Sequence, residues 1–480
     1  MKSAEPFSNV EFPSSDRQKW LALAEKALAG ASFEDALMSK TDDDIRSDPV
    51  MQSDAKAPSM PRKNPNSRWA IVQRADDTDP VRANRQAHED LAHGATGLSL
   101  VFEGAPNSFG YGLPGTADAL EAVLEGIPLG TTHLRIDAHP LSRAMADWLV
   151  AYLTKQRADP EKLSLSFGID PAAVFAGTGQ LRVSIEALQA SMPQSLAHFF
   201  ALGVPDVLLE ADGRVFHNAG ATEAQELGIM LASAVAHLRL FEEARQALVY
   251  AAPHIGFAIS VDQDQFLSTA KIKALRKLWA RVQQASSIPT SAATMHAETS
   301  YRMMTAKDPE TNILRTTIAG FAAAAGGADT ISILPHTIAH GLPDAFARRV
   351  ARNSQLIIAD ESHLDLTADP ANGSGSVEAL TDMLCEAAWK EFQAIEAEGG
   401  ILRSLSNGHV QTRVLAARYQ RVLDHREGRR QIVGTTLYPA KSERSVQTLS
   451  AEKRSIATDG AVFCQRLEAT RIDEILAAEK

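Results

Sequence analysis

Short β-prone runs alternate with helix-period stretches along the middle of this chain, and the alternation predicts its architecture. Apolar, β-branched runs fall at 98–102, 134–137, 163–167, 207–209, 256–261, 291–295, 330–334 and 356–358. Between them apolar residues recur every three to four positions, as at 119–124, 224–240, 265–282 and 313–325, which is the spacing of one helix face. Eight strands alternating with helices is the count of a closed (β/α)8 TIM barrel. A doubly wound open sheet has a similar rhythm, but no GxGxxG follows the first strand, where that fold carries one.

The flanks read differently. Residues 1–90 form an extended N-terminal arm, with a short helix at 20–28 ending at Gly30. Within it, 41–67 is rich in Asp, Pro, Ser and Asn, so it is either disordered or held against another surface. Residues 91–400 carry the barrel. The rhythm then stops: 411–424 reads as helix, 431–437 as extended, and 450–480 as a charged helix. This 401–480 tail is too short for a further doubly wound domain of roughly 100 residues or more.

Composition narrows the function. The chain has 480 residues, 45% hydrophobic and 22% charged, with a net charge of −11 and no long basic run. Phosphate backbones are bound by clustered Lys and Arg, so nucleic acid is not an expected partner. Cys385 and Cys464 lie far apart without CxxC spacing, which argues against a disulfide framework and a thiolate metal site. Residues 1–16 lack the apolar core of a signal peptide, and no run is long enough to span a membrane. A cytoplasmic protein without membrane contact is the expectation.

In a barrel, polar groups just after strands are tested first. Here they are Glu103, His139, Glu210, Asp262, His296, Glu298, His336, Asp360 and Glu361. The densest block is 348–378, where an Arg-rich helix end meets the run 356–358, then Asp360 and Glu361, then the turn Gly373-Ser374-Gly375. That order is expected of a barrel's working rim. His296-x-Glu298 and His336-x3-His340 suggest metal ligands, but HTIAH lacks the Glu of HExxH and starts at a strand end. Hydrogen-bonded histidines and no metal are expected. There is no GxSxG elbow. Lys271, Lys273, Arg276, Lys277 and Arg281 share one amphipathic helix and read as a solvated surface.

Several blocks carry a family resemblance: FPSSDRQKWLALAEKALAG, HEDLAHGATGLSLVFEG, GVPDVLLEADGRVFHNAGATEAQEL, DPETNILRTTIAGFAAAAGGADTISILPH and ARNSQLIIADES. Over roughly residues 12–440 and in the same order, the chain resembles methylmalonyl-CoA mutase and its adenosylcobalamin-dependent acyl-CoA mutase relatives. The resemblance implies a (β/α)8 barrel that threads acyl-CoA along its axis, with a separate flavodoxin-like domain placing cobalamin over the mouth.

The departures are specific. Catalytic members carry a YAGFS-like segment after a W-x-I-R-Q lead-in; here Trp69-Ala70-Ile71-Val72-Gln73 leads to Arg74, which takes the tyrosine position. A charged side chain suits a dry radical pocket poorly. The family's thioester-binding histidine position holds Val215, with His217 two residues on, an offset that on a strand keeps the same face. No cobalt-ligating DxHxxG is present.

The resemblance therefore implies a non-catalytic small (beta) chain in a heterodimer, with the 1–90 arm wrapping the partner. Its large (alpha) partner would hold adenosylcobalamin and meet acyl-CoA, while this chain would bind no cofactor. His217, Lys273 and Arg302, placed near the barrel mouth, are the vestigial site candidates. The alternatives are a catalytic barrel served by a separately encoded cobalamin domain, and a standalone binding or regulatory barrel.

Overall fold

A computed structural model describes residues 16–53, 56–203, 207–442 and 444–478; the reading of the first fifteen residues lies outside them. Eight parallel strands close into a barrel: β1 (Ala70–Ala75), β2 (Gly97–Leu100), β3 (His133–Ile136), β4 (Ser164–Ile169), β5 (Val207–Asp212), β6 (Ile255–Val261), β7 (Thr294–Thr299) and β8 (Thr330–Ser332). The helices that follow them include α1 (Pro80–Ala92), α2 (Ala117–Leu124), α3 (Ser142–Lys155), α4 (Ile185–Ala201), α5 (Glu223–Glu243), α6 (Gln265–Ala285), α7 (Thr311–Ala325) and α8 (Ala345–Leu356). The (β/α)8 expectation is met.

One strand of the eight is corrected. The run 356–358 is no strand: α8 ends at Leu356 and passes into a π-turn at Ile357–Glu361. Its place is taken by Ala70–Ala75, inside the stretch read as arm, which pairs with both β2 and β8. Asp360 and Glu361 therefore do not follow a strand. Asp360 bonds Arg68, two residues before β1, so this block lies at the barrel's N-terminal end, opposite the working rim.

The strands alternate in the usual way, but with an inverted chemistry. Leu98, Leu134, Phe257 and Met295 face outward and join the helices in a continuous apolar layer. Inward positions are small or polar: Gly97, Ser99, Ser164, Ser166, Gly256, Ala258, Ser260 and Ser332. Most such barrels fill this space with Val, Ile and Leu. Gly168 sits where β4 shifts register against β5 and has φ +56°; a Cβ there would overlap the Ile136 carbonyl, so only glycine lets the strands approach so closely.

The tail is also corrected. Only Ile472–Ala478 of the 450–480 stretch is helical among the described residues, and 431–437 forms turns around an isolated bridge rather than a strand. Residues 448–473 form a strap around the barrel's C-terminal face. Thr448–Leu449 pairs with Leu342–Pro343 after β8, Arg454 N donates to Gly110 O after β2, and Val462–Phe463 pairs with Gln180–Leu181 after β4. Thr470 N then donates to Asn218 O after β5, and Ile472 N to Arg302 O after β7.

Candidate functional site

The small inner residues leave an axial space, and three arginines fill it. Arg74 on β1 donates to Glu298 Oε2 at 2.9 Å, Asp76 Oδ2 at 3.0 Å and Asn107 O at 2.8 Å. Arg214, just after β5, donates to both Asp212 oxygens at 2.9 and 2.7 Å, Asp137 Oδ1 at 3.1 Å and Glu298 Oε1 at 3.2 Å. Arg135 on β3 bonds Asp137 and Glu210. Glu298 and Asp137 thus bridge neighbouring arginines in one chain: Asp76–Arg74–Glu298–Arg214–Asp137–Arg135–Glu210. Every member is buried.

Burial sets the electrostatics, and the pairing overrides it. Loss of water would weaken the charged form of Arg74, but Glu298, Asp76 and Asp137 outweigh that and hold the guanidinium charged. Burial likewise pushes the Asp137 carboxyl up, while Arg214, Arg135 and Arg74 bring it well below the usual carboxylate range. Glu210, paired with one arginine and facing other carboxylates, stays raised by burial.

Above this chain an aromatic stack closes the C-terminal mouth. Phe109 and Tyr301 stack with centroids 4.0 Å apart and planes 9° from parallel. Arg74 lies over Phe109 at 5.2 Å and Arg471 of the strap over Tyr301 at 5.7 Å, each a cation–π contact. The Arg471 Nη1 donates to the Tyr301 hydroxyl at 3.0 Å.

His217 and Arg302 do lie together at this end. His217 is on a short helix, Arg214–Ala219, rather than on a strand, so the expected two-residue strand offset does not apply. Its Nδ1 meets Glu226 Oε2 at 3.0 Å and its Nε2 meets Ser300 Oγ at 2.9 Å. Burial, then the nearby Arg302 and Lys271, depress its pKa far below the ordinary value, so the ring is neutral. Arg302 donates to the His217 and Ala221 carbonyls at 3.2 and 2.8 Å and pairs with Glu223 and Asp262. Burial raises Glu226 to about 7, against the pull of Lys271 at 2.7 Å.

Lys273 is not at the mouth. It sits on α6 outside the barrel, bound to Asp369 at 3.1 Å and Glu378 at 3.0 Å. Its cluster is a solvated face only in part: Arg281 is exposed and Lys277 half-buried, but Lys271, Lys273 and Arg276 are buried, Arg276 donating to the Ala293 and Gly327 carbonyls. Sequence reasoning passed over Arg135, Asp137, Asp212 and Arg214. Their signal was present as polar residues at alternate positions of otherwise apolar strands, in LRID and EADGR.

Asp170, just after β4, supports the network from outside. It accepts from Asp212 N at 2.8 Å, Ala172 N at 2.9 Å and Ser233 Oγ at 3.0 Å. Burial, aided by the charge of Asp212, lifts it to about 7. A carboxyl raised from about 4 to 7 binds a proton in the folded chain that the unfolded chain has released. Its stabilising contribution is complete below pH 4 and is lost as pH rises through 7. Asp170→Asn is therefore expected to remove a stability slope of about 1.4 kcal/mol per pH unit between about pH 4 and 7. Urea denaturation of both proteins across that range reads the difference; parallel curves would show that Asp170 does not titrate there.

A closed (β/α)8 barrel with a polar, ion-paired axis and a strapped mouth is thus the class of protein defined here. The sequence profile of the family described as methylmalonyl-CoA mutase matches residues 55–478. The chain belongs to that family, whose reaction is an isomerisation. It is 35% identical to the methylmalonyl-CoA mutase small subunit of Streptomyces virginiae, over 91% of this chain and 73% of that one. It is 37% identical to the probable methylmalonyl-CoA mutase small subunit of Mycobacterium tuberculosis (strain ATCC 25618 / H37Rv), over 78% and 62%. To the Streptomyces virginiae large subunit it is 28% identical, over 85% and 58%. The chain therefore spans less than two thirds of the mycobacterial relative's length.

The residues at the mouth do not fit a cobalamin. His139 and His217 have both ring nitrogens engaged. The strap's Thr470 and Ile472 and the Arg74–Phe109–Tyr301–Arg471 stack cover the strand ends that the cofactor would face. Among the described residues, no three His, Cys, Asp or Glu side chains converge as ligands for an ion, and no helix is long and apolar enough to cross a membrane.

Proposed function

We propose that this chain is the non-catalytic small subunit of a heterodimeric, cytoplasmic methylmalonyl-CoA mutase. The large subunit holds adenosylcobalamin and the acyl-CoA and isomerises methylmalonyl-CoA and succinyl-CoA. The observation that carries the reading is the filled axis: Arg74, Arg214 and Arg135, locked by five carboxylates, stand where a threaded thioester would run. Neither Arg74, His217, Lys273 nor Arg302 acts on substrate, because each is committed to protein partners. The names of the small-subunit relatives support the same reading.

The test is expression with and without a large subunit, followed by size-exclusion chromatography and an isomerisation assay with adenosylcobalamin. Co-elution as a heterodimer is expected, with turnover only when the large chain is present. Turnover by this chain and cobalamin alone overturns the proposal.

A further inference from the structure

A cavity of about 100 Å³ lies on the flank of the barrel, between α4, α5 and the turn Gly399-Gly400 that leads into a short helix, Ile401–Ser406. Its walls are mostly apolar, with Pro171, Ile185, Leu188, Ala236, Leu240 and Ile401 among them. Asp170, Ser233 and His237 are its inner polar groups. Arg239 and Arg403 stand at the rim and pair with Glu396 and Glu186, so no excess positive charge draws an anion in.

The inner polar groups are unevenly engaged. The Asp170 carboxylate accepts from Asp212 N, Ala172 N and Ser233 Oγ. His237 is buried, and its Nε2 lies 3.1 Å from the Glu210 carbonyl oxygen and 3.4 Å from Ser233 Oγ. A carbonyl oxygen only accepts, so Nε2 carries the proton. Burial lowers the ring to about 4, so at neutral pH the imidazole is uncharged and Nδ1 is a bare acceptor. That Nδ1 is buried and has no hydrogen-bond partner among the described residues. With Nε2 turned to β5, Nδ1 is the polar atom that the ring has left to offer a ligand. A buried acceptor without a donor costs its lost hydration, and such atoms are rare.

From this we infer that the flank cavity binds a small, neutral molecule with an apolar body that donates one hydrogen bond to His237 Nδ1. A cavity of about 150 Å³ holds a benzene, so one of about 100 Å³ suits a five-membered ring or a short alcohol. An ammonium would lose its water against apolar walls, with the Asp170 carboxylate already taken up. A buried water needs two to four polar partners, whereas a molecule with one donor satisfies Nδ1 and lays its remaining surface on the apolar side chains. The site lies outside the barrel axis and does not depend on the chain being catalytic or not.

The test is a saturation-transfer NMR titration of the full chain with pyrrole and with furan, two rings of nearly the same shape. Pyrrole presents an N–H donor where furan presents an oxygen lone pair. Saturable binding of pyrrole is expected, with furan at least about tenfold weaker, the worth of one hydrogen bond to an otherwise unpaired acceptor. His237→Phe removes that acceptor and is expected to erase the preference for pyrrole. Ala236→Leu changes a half-buried wall position that makes no side-chain hydrogen bond. It fills the cavity and is expected to abolish pyrrole binding, which decides the matter where His237→Phe fails to fold. Absence of saturable pyrrole binding, equal affinities for the two rings, or unchanged pyrrole affinity in Ala236→Leu overturns the assignment and leaves the cavity to solvent.

Discussion

Arg214→Met is expected to destabilise the folded chain by about 3–5 kcal/mol, the cost of breaking a buried ion-pair network by removing one partner. Arg214 is fully buried and reaches three carboxylates, those of Asp212, Asp137 and Glu298. Methionine fills much of the volume but leaves these groups facing each other. Arg74 and Arg135 still cover Glu298 and Asp137. Asp212 keeps the Asn107 amide at 3.3 Å as its side-chain partner, with no cation beside it. The carboxylate left unpaired then favours protonation, so the deficit is expected to shrink as pH falls. Urea midpoints of the two proteins at about pH 5 and pH 8 measure both effects. A loss under about 1 kcal/mol at the higher pH would mean that the axis is not held by these pairs.

The same inverted chemistry explains what was legible in the sequence. Seven strands stand out because their outward faces are apolar runs packed under helices, as with Leu98–Leu100 and Phe257–Val261. The eighth, Ala70–Ala75, reads AIVQRA. Its Gln73 and Arg74 look like surface residues, yet both are buried: Arg74 points to the polar inside of the barrel, and Gln73, on the outer face, donates to the Arg348 carbonyl of α8. The run 356–358 resembles a strand because short apolar stretches do not separate strand from helix by period alone. It is in fact the continuation of α8, with Ile357 at 48% exposure.

The basic cluster on α6 shows a second limit. Its helical spacing is plain, but burial depends on Glu226, Asp369 and Glu378, which the fold brings from distant parts of the chain. Spacing predicts which face a lysine shares, not whether a carboxylate will meet it. The barrel's closed axis was legible in part. Arg74 marks a departure from catalytic relatives, whereas the role of Arg135 and Arg214 needs the register that sets them beside Asp137 and Glu298.

Replacing Trp20 and Leu23 together by aspartate is expected to abolish co-elution with a large subunit and leave this chain's own thermal unfolding unchanged. Both lie on the helix Arg17–Leu28, which has no buried residue. The helix is capped by Asp16, whose side chain accepts from Lys19 N at 2.8 Å, and is held by Arg17 to Asp48 and the Val50 carbonyl. Trp20, Leu23 and Ala27 recur at helix-face spacing, and Leu23 is 67% exposed. A 12-residue helix is marginal on its own. Trp20 is half-buried, its ring meeting the edge of Phe33, itself part of the arm. Such a stripe gains stability when another surface covers it. Burying a leucine is worth roughly 1.5–3 kcal/mol and a tryptophan no less, so losing both lowers affinity at least about a hundredfold. Because neither side chain contributes to the barrel core, the melting temperature of the isolated chain should not move. Undiminished co-elution of the double variant would place the partner on some other surface, whereas lost co-elution with an unchanged melting temperature assigns the contact to this helix.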